Sequence, residues 1–392
     1  MNSTKRNVSL LAACQALLFT NNSTLIAING LAGLALAPYV GLATLPVTCW
    51  VLGGAIGTMP ASLHMKRVGR QRGLTAGTLW GIVGALICAG AIWLQSFWVL
   101  CLGTLVWGVY NAYGQYYRFV AADIATGDFK ATAISLVLAG GLVGGILGPT
   151  ASRWTVDLLA PKFVGAYLAL IGVAVLTMVL LRFIRIPTPS AAERLGSGRP
   201  LREIVSQPKF VVAVLGSAIS YGVMNFLMVS TPIAMQACGH PYGAATFVIS
   251  SHIVGMFAPS FFTGPLIRRL GALPVMFTGA LLNLAAIAVA LSGISVAQFW
   301  WAMVLVGAGW NFLFIGGTTL LTETYRPEER AKAQGTNEQA IFITMTISSL
   351  SSGWTVTTAG WERVNLFALP LVAVVVVAIV WYALLSRKVA AA

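Results

Sequence analysis

Apolar residues run along this chain in twelve blocks, and the polar residues gather in the intervals between them. The blocks span 10–36, 39–63, 73–95, 97–122, 130–151, 163–186, 209–236, 241–266, 272–294, 297–322, 332–357 and 364–386. About 20 apolar residues suffice to cross a bilayer as a helix, and a helix satisfies its own backbone hydrogen bonds in lipid. The pattern therefore predicts twelve transmembrane helices. The blocks are long and do not alternate in dyads of about ten residues, which excludes a β-barrel. One interval is long and polar, from Pro187 to Pro208, and holds Glu193, Arg194, Arg199, Arg202 and Glu203. It predicts a cytoplasmic linker, 187–208, between an N-terminal six-helix bundle, 1–186, and a C-terminal one, 209–392.

Composition narrows the class. Of 392 residues, 58% are hydrophobic and only 9% charged, against about a quarter charged in an ordinary soluble domain. A soluble enzyme, a disordered chain and a disulfide scaffold are excluded. The five cysteines (14, 49, 88, 101 and 238) are odd in number, and four lie inside apolar blocks, which argues against a disulfide framework. The N-terminus is basic, but its first apolar block is long, carries Asn21 and Asn22 and lacks a small-residue cleavage site; it reads as the first span rather than a cleaved signal.

The net charge of +14 does not point to nucleic acid, because the cations are scattered through short loops. With the N-terminus inside, cytoplasmic segments hold about twenty of the 24 Lys and Arg residues, as the positive-inside rule requires. The outer loops keep Arg153, Lys162 and Arg363, and Arg118 is left inside span four. Both termini are expected in the cytoplasm of a bacterial inner membrane, with membrane lipids as surroundings and a monomer as the working unit.

The halves echo each other. The loop after span two reads Lys66-Arg67-Val68-Gly69-Arg70, and the loop after span eight, 202 residues on, reads Arg268-Arg269-Leu270-Gly271. A chain of six plus six spans with a basic, glycine-containing loop after the second helix of each half resembles the major facilitator superfamily. The resemblance covers the whole chain. It implies an all-α integral membrane protein of twelve transmembrane helices, built as two pseudo-symmetric six-helix bundles around a midplane cavity. The superfamily's loop pattern places an Asp where this chain has Lys66 and Arg268, a departure that touches the loop's usual gating salt bridge.

Span five carries Gly140, Gly144, Gly148 and Pro149, with Gly141 and Gly145 one face over. Small residues four apart let helix backbones approach closely, so tight packing within one half is the expectation. The alternative is the Gly-x-x-x-Gly-Pro motif of proton-coupled antiporters, matched only in part because Ser152 and Arg153 follow.

Candidate chemistry lies in spans seven and eight. The first holds Met224 and Met228, the second His252 and Met256. Spacing i, i+4 places each pair on one helix face. Counted from the turn at Cys238 and Gly239, Met224 and His252 share a depth, with Met228 about one turn further out and Met256 about one turn further in. Thioether and imidazole ligands suit a soft cation such as Cu(I), and carriers of this architecture bind substrate near the midplane. The alternative is that methionine fills gaps in an apolar core. Histidine is scarcer, with three in the chain, and one inside a span is a functional candidate.

A Met-x-x-x-Met in span seven with a His-x-x-x-Met in span eight resembles the CcoA-type copper importers, a bacterial branch of the same superfamily. The resemblance implies that Met224, Met228, His252 and Met256 bind copper. It further implies that copper is cargo rather than a resident cofactor, that a cytoplasmic copper-accepting protein is a partner, and that the import supports assembly of the cbb3-type cytochrome c oxidase. The wider branch includes riboflavin importers, which keeps a vitamin substrate in view.

Further candidates carry an ordinary reading beside the functional one. Cys49 and Cys238 are either relay ligands for Cu(I) or small buried hydrophobes. Met235, seven residues after Met228, is an outer stepping stone or core filler. His240 captures metal or is a plain loop residue; His64 and Met65 are given no site. Arg118 and Asp123 form an ion pair that positions helices, or part of a gate or anion site. Glu338 carries a proton or caps a helix after Thr336 and Asn337. Asn21, Asn22, Asn29, Asn111 and Asn311, with Trp107, Tyr110, Tyr113 and Trp310, are candidates to line the cavity.

The expected function is copper import by alternating access. The alternatives are an organic-solute carrier, either a riboflavin-type importer or a proton-coupled drug exporter, and a non-transporting receptor or assembly factor. No Gly-rich loop ending in Gly-Lys-Ser/Thr occurs, so ATP is not the expected direct energy source, and no enzyme signature is present.

Overall fold

The structure is a computed structural model that describes residues 3–39, 42–186, 190, 193, 196 and 198–391. Among these the ordered secondary structure is helical. Seven helices precede the linker: α1 (Ser3–Leu36), α2 (Leu45–Val68), α3 (Arg70–Trp93), α4 (Phe97–Gly114), α5 (Tyr117–Ile124), α6 (Phe129–Thr155) and α7 (Val164–Arg182). A short α8 (Leu201–Val205) lies in the linker, whose Arg194 is outside the described residues. Then come α9 (Pro208–Ala237), α10 (Tyr242–Phe257), α11 (Ser260–Leu270), α12 (Ala272–Leu291), α13 (Val296–Leu321) and α14 (Arg330–Ala391).

Local breaks account for the difference between these helices and twelve spans. α4 and α5 are two pieces of span four. α10 and α11 are two pieces of span eight, interrupted at Ala258 and Pro259, where a proline ring removes a backbone donor. α14 holds spans eleven and twelve in one run, broken at Gly360 with φ 79° and ψ 175°. The large exposed apolar side chains, such as Ile56, Trp93, Trp154 and Val377, are those a bilayer would cover.

The two basic loops share one backbone solution. Gly69 stands between α2 and α3 with φ 91° and ψ 155°, and Gly271 between α11 and α12 with φ 85° and ψ 166°. Only glycine adopts this region without strain, so the repeat seen in sequence is a repeat of a turn.

The chain divides into two compact units. Unit 1 comprises 1–125, 136–198 and 326–342; unit 2 comprises 126–135, 199–325 and 343–392. The opening of α14 thus packs within unit 1, although its sequence lies in the C-terminal half. In unit 1, α4 packs on α2 and α3, and α7 on α3 and α1. α6 lies against α1, where a methyl group added at Gly140, Gly144 or Gly148 would run into the Ala12, Ala16 or Ser23 region of α1. Thr24 seals the crossing by donating to the carbonyl of Gly148 at 2.9 Å. The glycine stripe of span five packs helices within one unit. In unit 2, α13 is the shared neighbour of α9, α10 and α12; Gly307 brings it within 2.8 Å of the backbone of His252 and Met256, as measured to the position a Cβ would take.

Candidate functional site

The Met and His pairs fall in unit 2. Met224 and Met256 are buried, Met228 is half-buried, and His252 is fully buried. The depth match between α9 and α10 holds less than it promises, because both helices pack more extensively on α13 than on each other. The His252 ring is set by α13: its Nδ1 lies 2.7 Å from the carbonyl oxygen of Met303. That bond makes Nδ1 the donor and leaves a lone pair on Nε2, which is buried without a hydrogen-bond partner. Thr231 of α9 reaches the same residue, its hydroxyl 3.1 Å from the Met303 sulfur. Met303, fully buried, joins α9 and α10 through α13. Nothing in its sequence context marked it, since it is a lone methionine in an apolar run. Asn311, one of the polar span residues, holds the next turns together, donating to the Met256 carbonyl and to the Ser260 hydroxyl at 2.6 Å each.

The remaining metal-relay candidates separate. Met235 is buried near the C-terminal end of α9, and Cys238 closes that helix. Cys49 of α2 is half-buried and lies beside Cys101 of α4. His240 ties its loop down through Nε2 to the carbonyl of Ile294 at 2.7 Å. His64 meets the Tyr113 hydroxyl at 2.8 Å.

Unit 1 holds a continuous buried polar chain. Trp107 donates to Asn22 at 3.4 Å, Asn22 to Asn111 at 2.8 Å, and Gln115 to the same Asn111 oxygen at 3.3 Å. Arg118 then donates to the Gln115 carbonyl at 2.7 Å and to its side-chain oxygen at 3.2 Å. Its other nitrogen pairs with Glu338, to which Asn337 also donates at 2.8 Å. The sequence paired Arg118 with Asp123, five positions on. The structure corrects this: Arg118 points into the unit and meets Glu338 of α14. Asp123, at the polar end of α5, takes Arg70 at 3.1 Å and Arg330 at 3.4 Å. Glu338 caps nothing, because α14 begins eight residues earlier at Arg330.

The departure at Lys66 is absorbed locally. The Lys66 ammonium donates to the carbonyls of Gly196 and Glu328 at 2.7 and 2.9 Å. The charge pairing of this loop falls to Arg70, which also donates to Gln334 at 2.5 Å.

Unit 2 carries an aromatic cluster. Trp310 stacks on Phe314 at 4.9 Å and meets Tyr221 and Phe257 edge-on at 5.3 and 5.7 Å. Its indole nitrogen is buried without a hydrogen-bond partner.

Helices that span a membrane, arranged as two units each with a buried polar or aromatic interior, describe a polytopic carrier. The sequence profile of the Major Facilitator Superfamily matches residues 11–236 and 213–392, and the chain belongs to that family; it is a multi-pass membrane transporter. It is 40% identical over 381 residues to the riboflavin transporter RfnT of Brucella anthropi, covering 96% of this chain and 95% of that one. The fold resembles that of the Escherichia coli fucose:proton symporter FucP, with a TM-score of 0.78 at 14% identity over 97% and 99% of the two chains. It also resembles the human organic anion transporter MFSD10, at 0.78 and 12% over 97% and 100%. Copper import, the function expected from the Met and His pairs, finds no support among these relatives; the organic-solute alternative does.

Proposed function

We propose that this transporter imports riboflavin or a closely related flavin by alternating access across a bacterial inner membrane, with both termini cytoplasmic. The observation that carries this reading is the 40% identity to a riboflavin transporter across nearly the full length of both chains. The interior chemistry is compatible with it. Riboflavin is neutral, with a flat ring system, an imide edge of alternating donors and acceptors, and a polyhydroxylated side chain. Asn22, Asn111 and Gln115 of unit 1 are amides of the kind that pairs with such an edge. The interior ion pair Arg118–Glu338 is neutral as a unit while Glu338 is ionised. The test is uptake of labelled riboflavin by cells that lack their own riboflavin synthesis and express this chain. Uptake well above empty cells supports the reading; uptake equal to empty cells removes it.

For energy, Glu338 is the candidate proton carrier. Of ten acidic residues it alone lies within the twelve apolar blocks, and ionisable groups at such depth mark ion pathways.

The soft-metal reading retains one favourable observation. His252 presents a buried, unpartnered Nε2 lone pair, the ligand form of imidazole, with Nδ1 held by a carbonyl as metal-bound histidines commonly are. Copper would be cargo there, with Met224, Met228 and Met256 as thioether ligands and a cytoplasmic copper-accepting protein as the receiver.

A further inference from the structure

The chain contains no Asp or Glu before Asp123, and none between Asp157 and Glu193. α1, α3 and α7 all fall within these acid-free stretches. Yet the polar ends of α1 and α7 gather three arginines. Arg6, Arg182 and Arg185 line a cleft of about 350 Å³ together with Leu10 and Phe183. All three arginines are exposed. The unit 1 ion pairs Arg70–Asp123, Arg330–Asp123, Arg118–Glu338 and Lys162–Asp157 do not involve this trio.

The backbone beneath the arginines is fixed rather than loose. Asn7, buried on α1, donates to the Arg185 carbonyl at 2.7 Å and accepts from the Arg185 amide at 3.3 Å. Gln71, on the first turn of α3, donates to the Leu181 carbonyl at 2.9 Å. Two buried or half-buried amides thus hold both ends of the Arg182–Arg185 segment in place. The cleft also straddles a change of character. Beyond Arg6 the helix turns apolar at Val8, Leu10 and Leu11, and Arg182 directly follows Leu180 and Leu181. This is where spans one and six leave the hydrocarbon, and Phe183 stands exposed beside the charges.

We propose that this cleft binds the headgroup phosphate of an anionic membrane phospholipid. No acidic group lies on the elements that build it, which leaves the three exposed charges open to an anion from outside the chain. Guanidinium groups pair with phosphate oxygens through two parallel hydrogen bonds, and basic clusters at the end of a span recruit anionic lipid. Leu10 and Phe183 provide the apolar flank that acyl chains require and a free phosphate does not. The site is independent of the cargo, and it asks more of the arginines than orientation of the chain, which any scattered cations would supply.

Native mass spectrometry tests it on the full-length protein released from membranes of equal phosphatidylglycerol and phosphatidylcholine. The wild type should retain phosphatidylglycerol in preference. Retention should fall roughly fivefold for each arginine changed to Gln, vanish in Arg6→Gln/Arg182→Gln/Arg185→Gln, and persist at a reduced level in the corresponding Lys variant, which keeps the charge but loses the paired hydrogen bonds. The charge-matched Arg268→Gln/Arg269→Gln should retain the lipid like the wild type. Single Arg185→Gln gives a graded reading should the triple variant fail to insert. Excess inorganic phosphate should leave the lipid in place. Displacement by phosphate, unchanged preference in the triple or single Gln variants, or equal loss in the Arg268/Arg269 variant would each overturn the proposal.

Discussion

The guanidinium of Arg118 and the carboxylate of Glu338, 220 positions apart, form an ion pair in which each side chain is 1% exposed. Removing one partner leaves the other charged and buried, which costs about 3–5 kcal/mol. Arg118→Gln and Glu338→Gln should therefore each lower the unfolding temperature of the purified protein. The double variant, with no net buried charge, should recover most of the loss in the same thermal measurement.

The same carboxylate bears on energy coupling. In proteoliposomes, Glu338→Gln should abolish the stimulation of riboflavin uptake by an inward proton gradient while sparing riboflavin exchange at equal pH. Stimulation of the variant equal to that of the wild type would remove Glu338 from the coupling step.

The amide chain gives a cargo prediction. Asn22→Ala removes the donor to Asn111 and an acceptor for Trp107, and Asn111→Ala removes an oxygen that accepts from two amides. Each should lower kcat/KM for riboflavin by roughly tenfold, equivalent to about 1.4 kcal/mol. Asn283→Ala, a buried amide of α12 in the other unit, is the comparison and should leave riboflavin transport near the wild-type value.

The metal reading is decided by copper rather than riboflavin. Uptake of radioactive copper by cells expressing the wild type, His252→Ala and Met224→Ala separates the cases, with protein levels checked. Under the flavin reading all three match empty cells. Uptake above empty cells that is lost in both variants would restore copper as cargo.

The turn glycines have a stability signature. Gly69→Ala and Gly271→Ala place a Cβ where φ is 91° and 85°, and each should cost about 1–3 kcal/mol in thermal unfolding. Gly90→Ala, in helical α3 with open space around it, should be neutral or slightly stabilising.

What the sequence made legible follows from what lipid demands. Twelve apolar blocks and two basic glycine turns are local signals, because span length and the conformational freedom of glycine depend on few neighbours. Side-chain partners are not local. Arg118 sits five residues from Asp123 yet pairs with Glu338, because helix direction carries its side chain inward while Asp123 stays at the polar end. Met303 escaped notice for a similar reason: a single methionine gains meaning only when α9 and α10 both lean on α13. The paired Met and His motifs share a depth on two consecutive helices, which suggests one site but does not require it. Consecutive antiparallel helices need not be each other's main neighbours, and here a third helix takes that place. Four short-motif residues also weigh little beside similarity spread over 381 residues.

The placement of Arg326–Phe342 within unit 1 has a consequence for biosynthesis. The ribosome releases all seven helices of the N-terminal half long before Glu338, so Arg118 enters the membrane with no carboxylate to meet it. The first unit must wait, incompletely folded, until synthesis has passed Phe342 in the second half of the chain. A gene split at the linker should thus yield an N-terminal fragment that is short-lived alone and rescued when its C-terminal counterpart is made in the same cell.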